Sequence, residues 1–339
     1  MKRWGVYTAG FTFFAFVGLG GFLYWKYEPN RHFQQMDVPV LSQPVGTVIV
    51  ETETPVTPVH ALEKAPEKAQ SAPEQTKSIK TFNLLILGID AREDESSRSD
   101  VMMVMHIVPS ERKVNILTIP RDTRVNIEGV GYTKINHAHI IGESKGGNEE
   151  GTKMALQTVS NFLDVPINYY MKTNFKGFES FIDTVGGVDV EIANDIYLFH
   201  AKKTLTKGIQ HIDGKLALSL ARERYAFADG DFGRQSEQSQ ILKNVAQELL
   251  KPEHIGDIAN LLMKVKKDIL DTNFKDEDLI SMAWLFKGLK ADDFRTGQIP
   301  GHSETLMDPL VKMPLYYWIP DTVMVRELSE TFLKDKGGN

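Results

Sequence analysis

Residues 82–89 read Phe82-Asn-Leu-Leu-Ile-Leu-Gly-Ile89, a short and nearly unbroken apolar run. Such a run is typical of a strand buried on both faces, because a strand with one solvated face alternates apolar and polar residues. Similar runs at Val101–Val108 and Val114–Ile119 predict two further strands. The sequence therefore indicates a sheet whose central strands are covered on both sides.

Helical patterns alternate with strand patterns along the rest of the chain. We predict helices at 151–163, 175–185, 231–250, 254–268, 276–287 and 320–333, and a helix after Asp213, which is a plausible N-cap. Further strands are predicted at 168–172, 188–192, 294–299 and 314–318. This alternation over about 250 residues indicates a three-layer α/β/α domain.

The overall composition excludes several classes of protein. The chain has 339 residues, of which 42% are hydrophobic and 25% charged, so collagen-like, fully disordered and polytopic membrane proteins are excluded. It contains no cysteine, which rules out disulfides and thiolate chemistry. A formal net charge of −6 argues against nucleic-acid binding, which needs a basic face.

The N-terminus predicts a membrane anchor. Residues Trp4–Trp25 carry no charge, and as a helix they would span about 33 Å, enough for a bilayer core. Lys2 and Arg3 precede this segment, which predicts a cytoplasmic N-terminus and an extracellular remainder. The alternative is a cleaved signal peptide, but no small-x-small cleavage site follows the apolar run. We predict residues 1–27 as the N-terminus and single transmembrane helix.

A proline-rich segment separates this anchor from the apolar strands. Residues 28–80 contain seven of the 15 prolines, interspersed with Glu, Thr, Gln and Lys. Such a composition buries too little apolar surface to fold alone, which predicts a disordered extracellular spacer. The globular domain is accordingly predicted at residues 81–335.

Arginine and lysine are distributed very differently. The windows 90–100, 120–124 and 222–234 contain seven of the 12 arginines and no lysine. Arginine is suited to bidentate phosphate recognition, whereas lysine is the ordinary solubilising cation. The alternative is a set of surface salt bridges, which contribute little free energy. The seven arginines are Arg92, Arg98, Arg121, Arg124, Arg222, Arg224 and Arg234.

The position of these windows favours a binding site. Asp90 directly follows the first strand, and Arg121 follows the strand Val114–Ile119. In open α/β sheets ligands bind beyond the carboxyl ends of the strands. Asp100 precedes its strand, so that strand must run antiparallel to bring Asp100 beside Asp90. We therefore expect a mixed central sheet.

Two carboxylates in this arrangement predict a metal site. Oxygen ligands in small number suit Mg²⁺, with Mn²⁺ as an alternative, held jointly by Asp90, Asp100 and substrate phosphates. The other interpretation is a solvated acidic loop. His137-Ala-His139 also suggests a metal, but two histidines without nearby partners are usually structural or solvated.

The third arginine window predicts a diphosphate site. Arg222 and Arg224 would diverge by about 200° on one helix, so both face one ligand only if the helix ends near Ala221. Arg234 and Gln238 share a helix face. With Asp231 as N-cap, Arg234 would lie in the first turn, where free N–H groups attract phosphate. The apolar residues that follow could line the core or a lipid channel.

Several ordered motifs resemble those of the LytR–CpsA–Psr family of Gram-positive cell-envelope proteins. The resemblance covers residues 82–250 and continues more loosely to the C-terminus. The motifs are Leu87-Gly-Ile-Asp90 with Arg92, Arg98-Ser-Asp100, Leu117–Arg124, Lys134-Ile-Asn-His-Ala138, Val185-Gly-Gly-Val-Asp189, Leu218–Arg224 and Asp231-Phe-Gly-Arg234 through Gln238.

The resemblance implies a magnesium-dependent phosphotransferase at the Gram-positive cell wall. Family members move an anionic glycopolymer, such as wall teichoic acid or capsular polysaccharide, from undecaprenyl diphosphate to peptidoglycan, at the 6-hydroxyl of N-acetylmuramic acid. Asp90 and Asp100 would hold Mg²⁺, and either is a candidate base. The residues that would neutralise or bind the diphosphate are Arg121, Arg222, Arg224 and Arg234, assisted by Arg92, Arg98 and Gln238.

Two other functions remain compatible with the sequence. One is a non-catalytic regulatory attenuator that binds polyprenyl phosphate, and the other is a lipid-diphosphate hydrolase with water as acceptor. No serine has a nucleophile-elbow context and no P-loop occurs, so a serine triad is unsupported. The expected partners are the lipid-linked glycopolymer, peptidoglycan and the membrane.

Overall fold

A computed structural model describes residues 26–35, 38–45, 80–90, 98–223, 264, 266, 271–287 and 289–334. The strands in these ranges are β1 (Phe82–Asp90), β2 (Arg98–Val108), β3 (Lys113–Thr118), β4 (Arg124–Ile127), β5 (Gly131–Lys134), β6 (Tyr169–Asn174), β7 (Val188–Ile192), β8 (Ile196–Leu198), β9 (Lys203–Leu205), β10 (Gly208–Ile212), β11 (Asp271–Thr272), β12 (Phe294–Gln298), β13 (Gly301–Met307) and β14 (Pro314–Pro320). The α-helices are α1 (Pro29–Gln35), α2 (His137–Leu163), α3 (Phe175–Thr184), α4 (Gly214–Arg222), α5 (Asp276–Lys287) and α6 (Thr322–Leu328), with a 3-10 turn at Ala291–Asp293 and a π-helical turn at Ser329–Leu333.

The central sheet has the strand order β11-β6-β1-β2-β3-β12. Strand β2 is antiparallel to both β1 and β3, whereas β6 is parallel to β1 and β12 is parallel to β3. The predicted mixed sheet is therefore confirmed. Strands β1, β3, β6 and β12 all end at the same edge of this sheet, which we call the site edge. Strand β2 begins there.

Helices cover both faces of the sheet, as the apolar strand at 82–89 predicts. On one face Leu87 lies in a buried cluster with Val159 of α2. On the other face Leu84 lies in a cluster with Leu279 of α5. Leu84 and Leu87 are 2% and 0% exposed, so β1 is buried on both sides. The structure has the predicted three layers.

A smaller layer adjoins the site edge of the sheet, where α3 directly follows β6 and contacts β6 and β1. It contains helices α3 and α4 and the two-stranded sheets β7–β10 and β8–β9, packed around buried residues such as Ile182 and Leu220. Asp213 caps α4, because its side chain accepts a hydrogen bond from the backbone N–H of Leu216 at 2.8 Å. The predicted N-cap is confirmed.

Most element boundaries agree with the sequence within a few residues, and helices at 276–287 and strands at 188–192 agree fully. The helix predicted at 151–163 begins earlier, at His137, and is interrupted by non-helical backbone at Gly146 and Gly147. The helices predicted at 231–250 and 254–268 lie outside the described residues, apart from Lys264 and Lys266.

The predicted spacer is wrong at its N-terminal end. Residues 29–35 form α1, and Phe33 is fully buried, with its ring 4.7 Å from that of Phe82. The backbone N–H groups of Leu41 and Ser42 donate to the carbonyl of Ile167. A polar, proline-rich average conceals one aromatic anchor and a few backbone hydrogen bonds, and these suffice to dock residues 29–35 and 38–45 onto the domain.

None of the helices that the structure describes is long and apolar enough to cross a membrane. The predicted anchor, Trp4–Trp25, lies outside the described residues.

Candidate active site

A chain of alternating charges lies at the site edge. The Arg121 guanidinium donates to the Asp100 carboxylate at 2.6 Å, and its Nε lies 3.5 Å from Asp122. Lys134 donates to the other oxygen of Asp122, also at 2.6 Å. These four side chains are 12–23% exposed, so each ion pair is partly shielded from water. Cations held in this way are ordered before any anion binds.

Backbone hydrogen bonds hold the segment after β3 in place. The Thr123 side chain and its N–H both donate to the carbonyl of Pro120, which closes a tight turn at Arg121. The N–H of Asn136 donates to the Arg121 carbonyl at 3.2 Å, and Trp318 N–H donates to the Asp122 carbonyl at 2.9 Å. Arg121 therefore lies between the end of β5 and the hairpin β13–β14.

A β-bulge brings Asp100 to the end of β1. Gly88 is opposite Val101 and Ile89 is opposite Ser99, so Asp100 is an extra residue in β2. Bulges re-aim side chains at the ends of strands and are frequent beside active sites. Asp90 is opposite Arg98 in the same register. The antiparallel pairing that the sequence predicted for β2 is confirmed, and it brings the two aspartates to adjoining positions.

Arg222 lies at the same edge, next to β6. Its guanidinium is 4.3 Å from the centroid of the Phe175 ring, a cation–π distance. Phe175 follows Asn174, which is opposite Ile89 in the β1–β6 pairing. Helix α4 ends at Arg222, and Glu223 already has extended backbone. The helix thus ends one residue after Ala221, near the point at which it would have to end for Arg222 and Arg224 to face one ligand.

Arg124 and Lys134 face one another across β4 and β5, where they are directly paired. The Arg124 guanidinium is 4.7 Å from the centroid of the Tyr132 ring, and Lys134 Nζ is 5.9 Å from that of Tyr317. Lys134 is bound to Asp122 and so joins the Arg121 cluster, whereas Arg124 lies against the aromatic rings.

The structure thus brings Asp90, Arg98, Asp100, Arg121 and Arg222 to one edge of the sheet. The other predicted site residues lie outside the described residues: Arg92, Arg224, Arg234 and Gln238. Their predicted contact with a diphosphate stays a prediction.

A buried polar network beside the cluster was not predicted as part of the site. Asp308 is 0% exposed and accepts hydrogen bonds from Thr133 at 2.7 Å and from Tyr317 at 2.5 Å. Thr133 also contacts Nδ1 of His137 at 2.8 Å. The sequence singled out His137 as a weak metal candidate and as part of the motif Lys134-Ile-Asn-His-Ala138, without a role for its ring. Asp308 carried no signal, because it lies 175 residues from Thr133.

The network perturbs the protonation of its members. Burial acts against ionisation of Asp308, but hydrogen bonds from Tyr317, Val311 N–H and Thr133 outweigh it and lower the pKa of Asp308 to about 2. Burial, followed by the hydrogen bond that Tyr317 donates to Asp308, raises the pKa of Tyr317 to about 12. Burial also lowers the pKa of His137. At neutral pH the site therefore contains a carboxylate, a phenol and an uncharged imidazole.

The residues predicted to hold Mg²⁺ can supply part of a coordination shell. Asp90 and Asp100 both offer carboxylate oxygens, and both are only partly exposed. Within the described ranges no three His, Cys, Asp or Glu side chains cluster as a metal site. Two carboxylates leave most positions to water and phosphate, which is how Mg²⁺ is commonly held beside substrate phosphates.

Comparisons with known proteins identify the family and the fold. The LytR_cpsA_psr family matches residues 49–333. Polyisoprenyl-teichoic acid–peptidoglycan teichoic acid transferase TagU of Bacillus cereus strain AH820 is 33% identical over 266 residues, covering 78% of this chain and 82% of the relative. The crystal structure of B. subtilis TagV has a TM-score of 0.64 and 31% identity, covering 76% of this chain and 98% of that chain.

A structure described as TagT bound to LIIa-WTA superposes with a TM-score of 0.61 at 27% identity, covering 74% of this chain and 89% of that chain. The mixed three-layer sheet is that of an α/β domain, and the relatives that this chain resembles are named transferases. The chain belongs to the LytR_cpsA_psr family.

Proposed function

We propose that this protein is a transferase that moves an anionic glycopolymer, wall teichoic acid or a capsular or secondary wall polysaccharide, from undecaprenyl diphosphate to peptidoglycan. The observation that carries the proposal is the Asp100–Arg121–Asp122–Lys134 cluster at the site edge, in a chain of this family. The named relatives are teichoic acid transferases, which supports the same substrate class.

The proposed reaction is a displacement at phosphorus. A hydroxyl of the peptidoglycan acceptor forms a bond to the phosphorus next to the glycan, and the bond from that phosphorus to undecaprenyl phosphate breaks. The hydroxyl loses its proton, and undecaprenyl phosphate leaves. Catalysis of phosphoryl transfer depends mainly on positioning and charge stabilisation, with little covalent work for the protein.

Arg121 is the residue best placed to stabilise the charge that develops on the diphosphate. Asp100 and Asp122 hold its guanidinium from two sides, so its position is fixed before substrate binds. Arg222 would approach from the α4 side, and Lys134 would add a charge near Arg121. Preorganised cations of this kind stabilise a developing anion without a reorganisation cost.

Asp90 and Asp100 would hold Mg²⁺ or Mn²⁺ against the diphosphate. The ion, when bound, would neutralise part of the phosphate charge. Of the two carboxylates, Asp100 already contacts Arg121, so this arginine and the cation would both act on the diphosphate charge. We propose that transfer requires this divalent cation.

The proposed location is the outer face of the cell membrane. The support is the uncharged segment Trp4–Trp25 with Lys2 and Arg3 before it, which predicts a single-pass anchor with the catalytic domain outside. Docking of residues 29–35 on the domain would place the fold close to the end of that segment.

One assay separates transfer from its rivals. The full chain in detergent micelles is incubated with lipid-diphosphate glycan, a peptidoglycan oligomer and Mg²⁺. Glycan attached to peptidoglycan is the expected product. Free glycan phosphate would instead identify a hydrolase, and recovery of intact substrate with bound lipid would identify a binding protein.

A further inference from the structure

His137 is next to the charged cluster but plays no part in its ion pairs. It is the first residue of α2 and follows Asn136, whose N–H donates to the Arg121 carbonyl. His137 is 7% exposed, and its Nδ1 contacts Thr133 of the buried network at 2.8 Å. The side chain therefore lies between the site and the buried network.

The hydrogen bonds of Thr133 define which ring nitrogen of His137 carries the proton. The Asp308 carboxylate can only accept hydrogen bonds, so the single hydroxyl proton of Thr133 is donated to it at 2.7 Å. The Thr133 oxygen then accepts from Nδ1–H of His137 at 2.8 Å. In the neutral ring Nδ1 is protonated, and the lone pair is on Nε2.

Among the described residues, none donates a hydrogen bond to Nε2 of His137. All hydrogen bonding of His137 within the described chain is through Nδ1. The neighbouring Asn136 is 5% exposed, and its side-chain oxygen, too, has no hydrogen-bond partner in the described ranges. Two acceptor atoms on consecutive residues, near enough to Arg98 and Lys134 for the two charges to act on His137, suit a neutral donor such as a hydroxyl group. They do not suit an anion, which would be repelled by their lone pairs.

We propose that His137 is a catalytic residue that removes the proton from the acceptor hydroxyl, with Thr133 and Asp308 as the residues that position its ring. The inference rests on the proposed transferase function and deepens it. The O–H bond of the acceptor breaks and its proton moves to Nε2. The new O–P bond forms as the bond to undecaprenyl phosphate breaks, and the imidazolium later releases the proton to water.

Asp308 has a second effect in this scheme. When Nε2 takes up a proton the ring becomes a cation, and the buried Asp308 carboxylate stabilises it through the Thr133 hydroxyl. Burial, and after it the charges of Arg98 and Lys134, lower the pKa of His137, which keeps the ring neutral and ready to accept a proton before reaction. Asp90 and Asp100 are then left to bind the cation, and neither has to act as base.

The test uses the full chain in micelles with the transfer assay. His137→Gln should lower kcat by about 10²–10⁴-fold, the usual contribution of a general base, with lipid-diphosphate affinity within about twofold. Imidazole added to His137→Ala should restore part of the rate. The control His211→Gln, at an exposed side chain of the smaller layer, should leave the rate unchanged. A His137→Gln rate within about threefold of wild type would overturn the proposal.

Variants of Thr133 and Asp308 test whether these residues position the His137 ring. Thr133→Val should lower kcat, whereas Thr133→Ser, which keeps the hydroxyl, should retain it. The acidic limb of the kcat/KM profile should move to lower pH in Asp308→Asn, because loss of the carboxylate removes a charge that favours the imidazolium. Equal rates in the two Thr133 variants would overturn the proposal even if the His137 variants do not fold. Absence of transfer by the wild type would instead refute the proposed function.

Discussion

Arg121 Nη1 donates a hydrogen bond to Asp100 Oδ1 at 2.6 Å, and the two residues are 21 positions apart in the sequence. The pair joins the end of β3 to the bulge at the start of β2. The pair forms because β3 ends at the site edge and β2 begins there. Asp100 therefore both orients Arg121 and is a predicted metal ligand, so the two functions are coupled.

Arg121→Ala should remove turnover while the fold survives. The loss of a preorganised cation from a transition-state site costs about 10²–10³-fold in kcat. Stability should change by about 1 kcal/mol or less, because the ion pairs are partly exposed. Transfer rates and thermal unfolding measure the two effects. Arg112→Ala is the matched control, since Arg112 is exposed in the turn at the opposite edge of the sheet. Normal activity in Arg121→Ala would refute the proposed site.

Removal of divalent cations should abolish transfer, and added Mg²⁺ should restore it. Asp90→Asn and Asp100→Asn should each raise the Mg²⁺ concentration required for half-maximal rate, because each removes one charged oxygen ligand. A metal titration of the transfer rate measures this, with the exposed Asp292→Asn as control. A full rate after exhaustive chelation would exclude a role for the metal.

Asp308 should make stability depend on pH between about 4 and about 2. Its folded pKa of about 2 lies below the unfolded value of 3.8, so its contribution is present above pH 4 and is lost as pH falls through the folded pKa. Asp308→Asn should lower the free energy of unfolding by about 1–3 kcal/mol at pH 7. Urea unfolding at several pH values tests this. Asp164→Asn is the control, as Asp164 is exposed and Asn tolerates its left-handed backbone. If the difference in unfolding free energy between wild type and Asp308→Asn does not decrease in acid, the lowered pKa of Asp308 is contradicted.

The buried charge of Lys172 should be stabilised by the side chains that contact it. It is 3% exposed and contacts Asp271 at 2.8 Å and Asn148 at 2.7 Å. Asp271→Asn should destabilise the fold by about 1–2 kcal/mol, because hydrogen bonds to charged groups are strong. Chemical denaturation measures the change. Glu149→Gln, in the exposed pair with Lys153, should cost less than about 0.5 kcal/mol. Equal losses of unfolding free energy in Asp271→Asn and Glu149→Gln would contradict a larger stabilisation from the buried Lys172 pair.

Phe33→Ala should destabilise the whole domain, since it deletes a fully buried aromatic ring. The expected loss is about 3–5 kcal/mol. Thermal unfolding measures it, and Phe199→Ala, at a 57% exposed side chain, should change stability by less than about 0.5 kcal/mol. If Phe33→Ala unfolds at the wild-type temperature, α1 is not an integral part of the domain.

The sequence predicts the sheet well because its signals are local. The run at 82–89 and the runs after it identify β1, β2 and β3 directly, and the charged residues at their ends identify the site edge. Asp90, Asp100 and Arg121 could be assigned because each lies within a few residues of a strand end. The antiparallel direction of β2 followed from the position of Asp100 alone.

Other features depend on contacts that no local pattern encodes. Asp308 and Tyr317 belong to a hairpin far along the chain and meet Thr133 only in the folded state. Lys172 looks like a solvated residue in a strand, yet the sequence cannot reveal that Asp271 covers it. Phe33 is a single aromatic residue in a polar stretch, and its burial is decided by the surface of β1 and α5.

The long separation between Thr133 and Asp308 has a consequence for biogenesis. In the proposed topology, translocation from the N-terminal end would deliver β13, the Asp308 turn and β14 last, after every predicted ligand of the diphosphate. Contacts between distant parts of a chain also form slowly during folding. We expect a nascent chain truncated before Met307 to contain the whole arginine and aspartate set without a fixed His137 ring. In the proposed topology, the protein would become competent for transfer only when translocation is nearly finished.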